Sequence, residues 1–189
     1  MSTTLGKEIH ELIEAKVKEA VEQQLKGIRE KETRQKRLAI AVVSKGTIDG
    51  AYPALILATA AAAMDMEVGV YFSFFGLNIL RKGNQDKLKL VPLGNPALPV
   101  SMPNIVAILP GVTALATSMM KRDIKKKKIA TVPELLSLAI ESGVKLWPCG
   151  MAMDMFDMKK EDLIDGLPEP VGAATFLEFA AESDINLFI

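Results

Sequence analysis

RLAIAVVSKGTIDGAYPALILATAAAAMDMEVGVYFS, residues 37–73, is the stretch that decides the fold. Arg37 to Val43 is a continuous apolar run rich in branched residues, the pattern of a strand buried on both faces. It stops at Ser44-Lys45-Gly46-Thr47, and Asp49-Gly50 leads into Ala51 to Met64, which is alanine-rich and uncharged until Asp65. That composition predicts a buried helix. Glu67 to Ser73 then reads as a second strand. Strand, helix and strand within about 35 residues make a βαβ unit with a right-handed crossover. Such units carry their ligand-facing loops at the C-terminal ends of the strands, which puts Ser44 to Asp49 and Phe74 to Asn78 on one rim.

Downstream the alternation continues. Phe75 to Lys82 reads as a short helix stopped at Gly83-Asn84, and the proline-rich stretch from Gln85 to Pro110 as a long loop, with Ile105 to Leu109 open between strand and helical turn. A helix is expected from Gly111 to Lys128, ending in six basic residues out of eight from Lys121 to Lys128. Thr131, Pro133 and Glu134 form a capping box that opens the next helix, and Gly143 stops it. Val144 to Cys149 is the next strand, Gly150 to Asp157 a helix, Ala173 to Ser183 another, and Ile185 to Ile189 a terminal strand, with a short strand expected near Val171. Upstream, Thr4 to Lys36 reads as one amphipathic helix with a narrow stripe of Leu5, Ile9, Leu12, Ile13, Val17, Val21, Leu25 and Ile28. Two regions follow: an N-terminal helix over 1–36 for docking or oligomerisation, and an α/β domain over 37–189 with a mainly parallel sheet of four or five strands.

Composition narrows the function classes. Formal net charge is zero, from 23 basic and 23 acidic residues, so no general attraction to nucleic acid or lipid is expected. The basic run lacks interleaved aromatics and reads as a solvated helix end able to dock an acidic partner. Residues 102–120 are uncharged over nineteen positions, yet they contain Pro103, Pro110 and Gly111 and read as buried protein rather than a membrane span. No secretory signal is seen at the N-terminus, and a cytoplasmic setting is expected. The one histidine, His10, lies in a charged helical stretch and offers no base for nucleophilic catalysis. No cofactor and no metal site is expected.

The chemistry rests on Cys149, the single cysteine. It ends an apolar run and precedes Gly150-Met151, where a helix begins. A thiol there meets backbone N–H dipoles that stabilise a thiolate, and Gly150 removes a side chain from its approach. The bland alternative is a small buried core residue. With one cysteine the chain cannot close a disulfide cycle alone, so the remaining chemistry is intermolecular: thiol–disulfide exchange, persulfide transfer or capping by a small thiol. Lys45-Gly46-Thr47 shares the rim and is either an ordinary strand-to-helix turn or a support for an anion or thiolate. Phe75, Gly76 and Asn78 stand on the same rim. Met151, Met153, Met155 and Met158 are core or interface filler that would also suit a soft, water-poor persulfide lining.

Several segments are similar to the DsrE/DsrF-like family of small sulfur-transfer proteins, in the single-domain branch that also carries a peroxiredoxin-like label. They are Ser44 to Pro53 (SKGTIDGAYP), Phe74 to Lys82 (FFGLNILRK), Pro92 to Pro96 (PLGNP), Leu109 to Met120 (LPGVTALATSMM) and Leu146 to Met155 (LWPCGMAMDM). The resemblance runs from about residue 38 to the end and leaves out the N-terminal helix. It implies a flavodoxin-like α/β fold, homo-oligomeric assembly, and a cysteine at the position of Cys149 that accepts and passes on sulfane sulfur. Some relatives carry a second cysteine. Its absence here implies a relay with a small sulfur-carrier protein, or with a persulfide donor and acceptor. The competing reading is a non-catalytic oligomeric or membrane-associated scaffold, or a small-molecule-binding module, with a structural cysteine.

Overall fold

The computed structural model describes residues 2–90 and 111–189; within the first helix, side chains are described at His10 and residues 13–27. Two compact units, residues 1–35 and 36–189, divide the chain. The first is helix α1 (Ser2–Thr33), on which Ile13, Val17, Val21 and Leu25 recur every four residues and are each about half exposed. The second is a four-stranded, wholly parallel sheet among the described residues. Its strands are β1 (Arg37–Val42), β2 (Glu67–Phe72), β3 (Lys145–Pro148) and β4 (Ile185–Phe188), in the order β3-β2-β1-β4.

Helices flank this sheet, giving a flavodoxin-like α/β arrangement. They are α2 (Ile48–Ala63), α3 (Val112–Lys126), α4 (Val132–Glu141), α5 (Gly150–Met155) and α6 (Ala173–Ala181). In α2, Ala51, Ala54, Leu55, Ala58 and Ala61 recur at three and four residues and are buried. Small side chains at those positions let the helix lie close to the strands. It begins at Ile48, three residues before the sequence expectation of Ala51, because Thr47 sits in an extended conformation ahead of the first turn and its hydroxyl donates to the Asp49 carboxylate at 2.7 Å. An acid in the first turn also suits the positive end of the helix dipole. In α4 the expected capping box is present: the Glu134 N–H donates to Thr131 Oγ1, and Thr131 N–H donates to the Glu134 carboxylate at 2.7 Å. Gly143, at φ 76°, ends that helix in the left-handed region.

Strand alternation sorts the core into two faces. Tyr71 stacks on Phe176 of α6 at 4.9 Å between ring centroids, and Trp147 meets Phe179 edge-on at 5.1 Å. Gly69, Tyr71 and Trp147 therefore face α6, whereas Val68, Val70 and Phe72 face the other way. Gly69 carries no side chain because a Cβ there would lie 2.4 Å from the Trp147 ring and 2.7 Å from Phe179. At the N-terminal edge of the sheet Glu67 joins Arg37 and Lys145 in ion pairs. The C-terminal edge carries the loops expected to form the rim. The short helix expected over Phe75 to Lys82 is a 3-10 helix over Phe74–Ile79, and Val171 forms an isolated parallel bridge with Cys149. The expectations for 91–110, including Ile105 to Leu109, lie outside the described residues. Among the described residues no helix is long and apolar enough to cross a membrane.

Candidate functional site

Cys149 follows the last residue of β3, and the register that pairs Phe72 with Pro148 sets it beside Ser73. Its N–H donates to the Phe72 carbonyl at 2.9 Å on the inner side. On the outer side, Val171 donates to the Pro148 carbonyl at 2.9 Å and accepts from the Gly150 N–H at 3.1 Å. The cysteine is thus held between the end of β2 and the segment around Val171, and it is 1% exposed. A thiol open to solvent on the rim is not what the fold presents.

Burial alone would push this thiol up. Four donors reverse the effect: the hydroxyls of Ser73 and Tyr71, and the backbone N–H groups of Ala152 and Met151 in the first turn of α5. The net result is a Cys149 pKa below the ordinary thiol value. Hydrogen bonds to the charged form favour that form, and here they outweigh desolvation. Tyr71 is raised, first by its own burial and then by its bond to Cys149; Ser73 also bonds the phenol. Ser73 has one proton and donates to Tyr71 or to Cys149 at any one time.

The residues singled out from the sequence fall into two groups. Cys149, Gly150 and Met151 meet at the thiol, Gly150 also lying 3.9 Å from Pro170 and Val171 as measured from the position of an added Cβ. The remaining ones form a neighbouring contact. A Cβ on Gly46 would sit 2.2 Å from the Phe75 carbonyl and 2.8 Å from Asn78 Cβ, and one on Gly76 would sit 2.2 Å from the Val42 carbonyl. The two glycines let the Lys45-Gly46-Thr47 turn and the Phe75–Asn78 turn close on each other. Lys45 pairs with Asp49 at 3.6 Å, and Thr47 bonds the same carboxylate. Phe74, Phe75 and Phe156 form a cluster with centroids 4.9–5.8 Å apart, all exposed, and Met151 and Met155 are exposed beside it on α5. Phe74 holds φ at 49°, in a region that bulky residues rarely occupy.

Sequence reading missed Tyr71 and Ser73. The signal was present in the alternation: two hydroxyl side chains two residues apart on one face of an otherwise apolar strand, ending level with the cysteine. Among the described residues no three His, Cys, Asp or Glu side chains gather as a metal site would need.

The class that fold and site define is a parallel α/β protein with one activated, buried thiol at the C-terminal edge of its sheet. The chain belongs to the DsrE/DsrF/DrsH-like family, whose sequence pattern matches residues 34–188. It is 47% identical over 161 residues to the sulfur carrier protein DsrE2 of Allochromatium vinosum, a match covering 82% of this chain and 99% of that protein. It is 34% identical over 167 residues to YrkE of Bacillus subtilis, covering 83% and 99%. The crystal structure of the YchN protein from E. coli shares the fold with a TM-score of 0.51 at 13% identity, covering 82% of this chain and all of that one.

Proposed function

We propose that this is a sulfur-transfer protein in which Cys149 holds sulfane sulfur as a persulfide and hands it to a partner thiol. One observation carries the reading: a 1% exposed thiol whose pKa is lowered by two hydroxyls and two backbone N–H groups. A cysteine kept for packing lies among apolar groups, where burial raises its pKa. The similarity to a sulfur carrier protein over most of the chain supports the same reading.

Two displacements make up the cycle. The Cys149 thiolate attacks the outer sulfur of a donor persulfide R–S–SH; the donor S–S bond breaks, R–S⁻ leaves, and Cys149–S–SH remains. An acceptor thiolate then attacks that outer sulfur, the bond to Cys149 breaks, and the Cys149 thiolate leaves into the same four donors. Neither step changes the net oxidation state, so one cysteine suffices, with a small sulfur-carrier protein or another persulfide donor and acceptor at each end. Access comes from release of the segment around Val171. Two backbone hydrogen bonds, the packing of Val171 on the core and the Lys160–Glu169 ion pair hold it, and breaking the two hydrogen bonds alone costs about 1–3 kcal/mol. The aromatic and methionine cluster of Phe74, Phe75, Phe156, Met151 and Met155 is the surface on which the partner docks. Lys45, on the same edge of the sheet, attracts an anionic donor. A second copy of the chain covers the uncharged outer face of α2, where Ile56, Leu57 and Met64 are exposed. A reducing, cytoplasmic setting suits a lone functional thiol.

Incubation with a sulfane-sulfur donor should add one sulfur atom to the intact mass, and Cys149→Ser should add none. No gain in the native protein, with a cysteine that reacts only after denaturation, would leave a structural thiol and sink the proposal. The half-exposed stripe of α1 favours a separate docking role for that helix. Deleting residues 1–36 should then leave the rate of Cys149 modification unchanged, and loss of partner binding in the same variant would favour a scaffold role over sulfur transfer.

A further inference from the structure

A second feature lies away from the thiol. A cavity of about 790 Å³ opens between the N-terminal turns of α2, the C-terminal end of α3 and the start of α4. That volume falls in the range of small-molecule sites. Both Ile48, which opens α2, and Thr131, which caps α4, lie at the C-terminal edge of the sheet, where parallel α/β proteins place ligands. Cys149 faces α6 with Tyr71, so the cavity occupies the opposite face of the sheet.

The lining has two chemical halves. Ile48, Ile124, Val132 and the ring of Tyr52 give an apolar body, and the Tyr52 hydroxyl donates to the Ala130 carbonyl at 3.0 Å, which fixes the ring. Lys121, Lys125 and Lys128 line the other side. Lys121 and Lys125 are four residues apart and so share one face of α3, and Lys128 follows just past its C-terminal end. Lys128 holds φ at 54°, where glycine is usual, and still carries its charge to the wall. Lys121 donates to the Asp86 backbone carbonyl, and Lys125 and Lys128 have no anionic partner among the described residues. Residues 91–110 contain no Asp or Glu, so their side chains supply no counter-charge. Of the two carboxylates in the lining, that of Glu134 is engaged by Thr131 in the helix cap.

We propose that this cavity binds an organic phosphate of nucleotide size, with its multiply charged head on Lys121, Lys125 and Lys128 and its apolar body against Tyr52, Ile48 and Val132. A diphosphate suits three lysines lining one cavity better than a monocarboxylate does, because lysine acts on phosphate as a point charge. The site is separate from Cys149 and stands or falls without the sulfur-transfer reading.

Calorimetric titration of the full chain with ADP, inorganic pyrophosphate and adenosine tests the assignment. ADP should bind more tightly than either fragment, and its affinity should fall as salt rises. Lys125→Glu/Lys128→Glu should weaken ADP by roughly tenfold or more, while Lys126→Glu/Lys127→Glu, with the same charge change outside the cavity, should leave it within about twofold. All four positions are exposed, so both variants should keep the wild-type melting temperature. Equal weakening by the two double variants would reduce the effect to unspecific charge and overturn the proposal. Absence of ADP binding at millimolar concentration would overturn it as well.

Discussion

Tyr71→Phe removes one oxygen from the site and little else. The ring is 6% exposed and stacked on Phe176, and phenylalanine preserves that stack. What disappears is the phenol that donates to Cys149 and bonds Ser73. A hydrogen bond to a charged group contributes about 1.5–3 kcal/mol. Ser73 and the N–H groups of Met151 and Ala152 remain and tighten, which favours the lower end of that range. Roughly 1.4 kcal/mol is a factor of ten in thiolate fraction at any pH below the midpoint. Alkylation of Cys149 by iodoacetamide, followed against pH, should therefore have its midpoint displaced upward. At fixed pH below that midpoint the rate should fall about tenfold. The melting temperature should change little, since the phenol's other partner, Ser73, is half-buried and able to bond water. An unchanged pH profile would show that Tyr71 does not act on the thiolate, and the account of the activated cysteine would lose its main side-chain donor besides Ser73.

Other positions give independent checks. Ser73→Ala should also raise the alkylation midpoint, and Tyr71→Phe/Ser73→Ala should fall short of the sum of the two, because the hydroxyls bond each other as well as the sulfur. Gly46→Ala would drive a methyl to 2.2 Å from the Phe75 carbonyl, and denaturant melts should show a loss of about 1–3 kcal/mol. The Lys145 ammonium, acting against burial and helped by Arg37, holds the Glu67 carboxyl below its usual range. Its contribution to stability is present above the unfolded value of about 4.3 and is lost as pH falls through the folded value. Glu67→Gln should thus cost about 1–2 kcal/mol near neutral pH, with the difference from wild type vanishing in acid, as read from urea midpoints across pH.

The fold was legible because its signals are local and repeated. Two apolar runs bracketing an uncharged alanine helix admit few arrangements other than a parallel βαβ unit, and Arg37–Val42 pairs with Glu67–Phe72 over six residues. The capping box at Thr131 and Glu134 could be read because every group in it lies within four residues. Boundaries were less legible where a side chain sets them, as Thr47 and Asp49 do at the start of α2. The thiol environment was the least legible. Ser73 lies 76 residues from Cys149 in sequence, and only the register between β2 and β3 brings the two together. Cys149 itself could be picked out as the one cysteine at a strand end. Its burial could not, because the groups around the sulfur come from segments distant in sequence, and the short strand expected near Val171 could not be given a neighbour until the structure paired it with Cys149.

Burial and activation together decide what kind of thiol this is. A low thiol pKa increases the thiolate population but weakens each thiolate as a nucleophile, and it makes the same sulfur a better leaving group. In the proposed cycle Cys149 attacks once and leaves once. The donors from Ser73, Tyr71, Met151 and Ala152 therefore favour release of sulfur to the acceptor over its capture from the donor. A thiolate so stabilised in open solvent would also be exposed to oxidation to sulfenic and sulfinic acids. In the proposed cycle the burial of Cys149 limits that reaction to the open state, in which a docked partner would occupy the approach. In the same proposed cycle this enclosure would keep a lone cysteine usable between one transfer and the next.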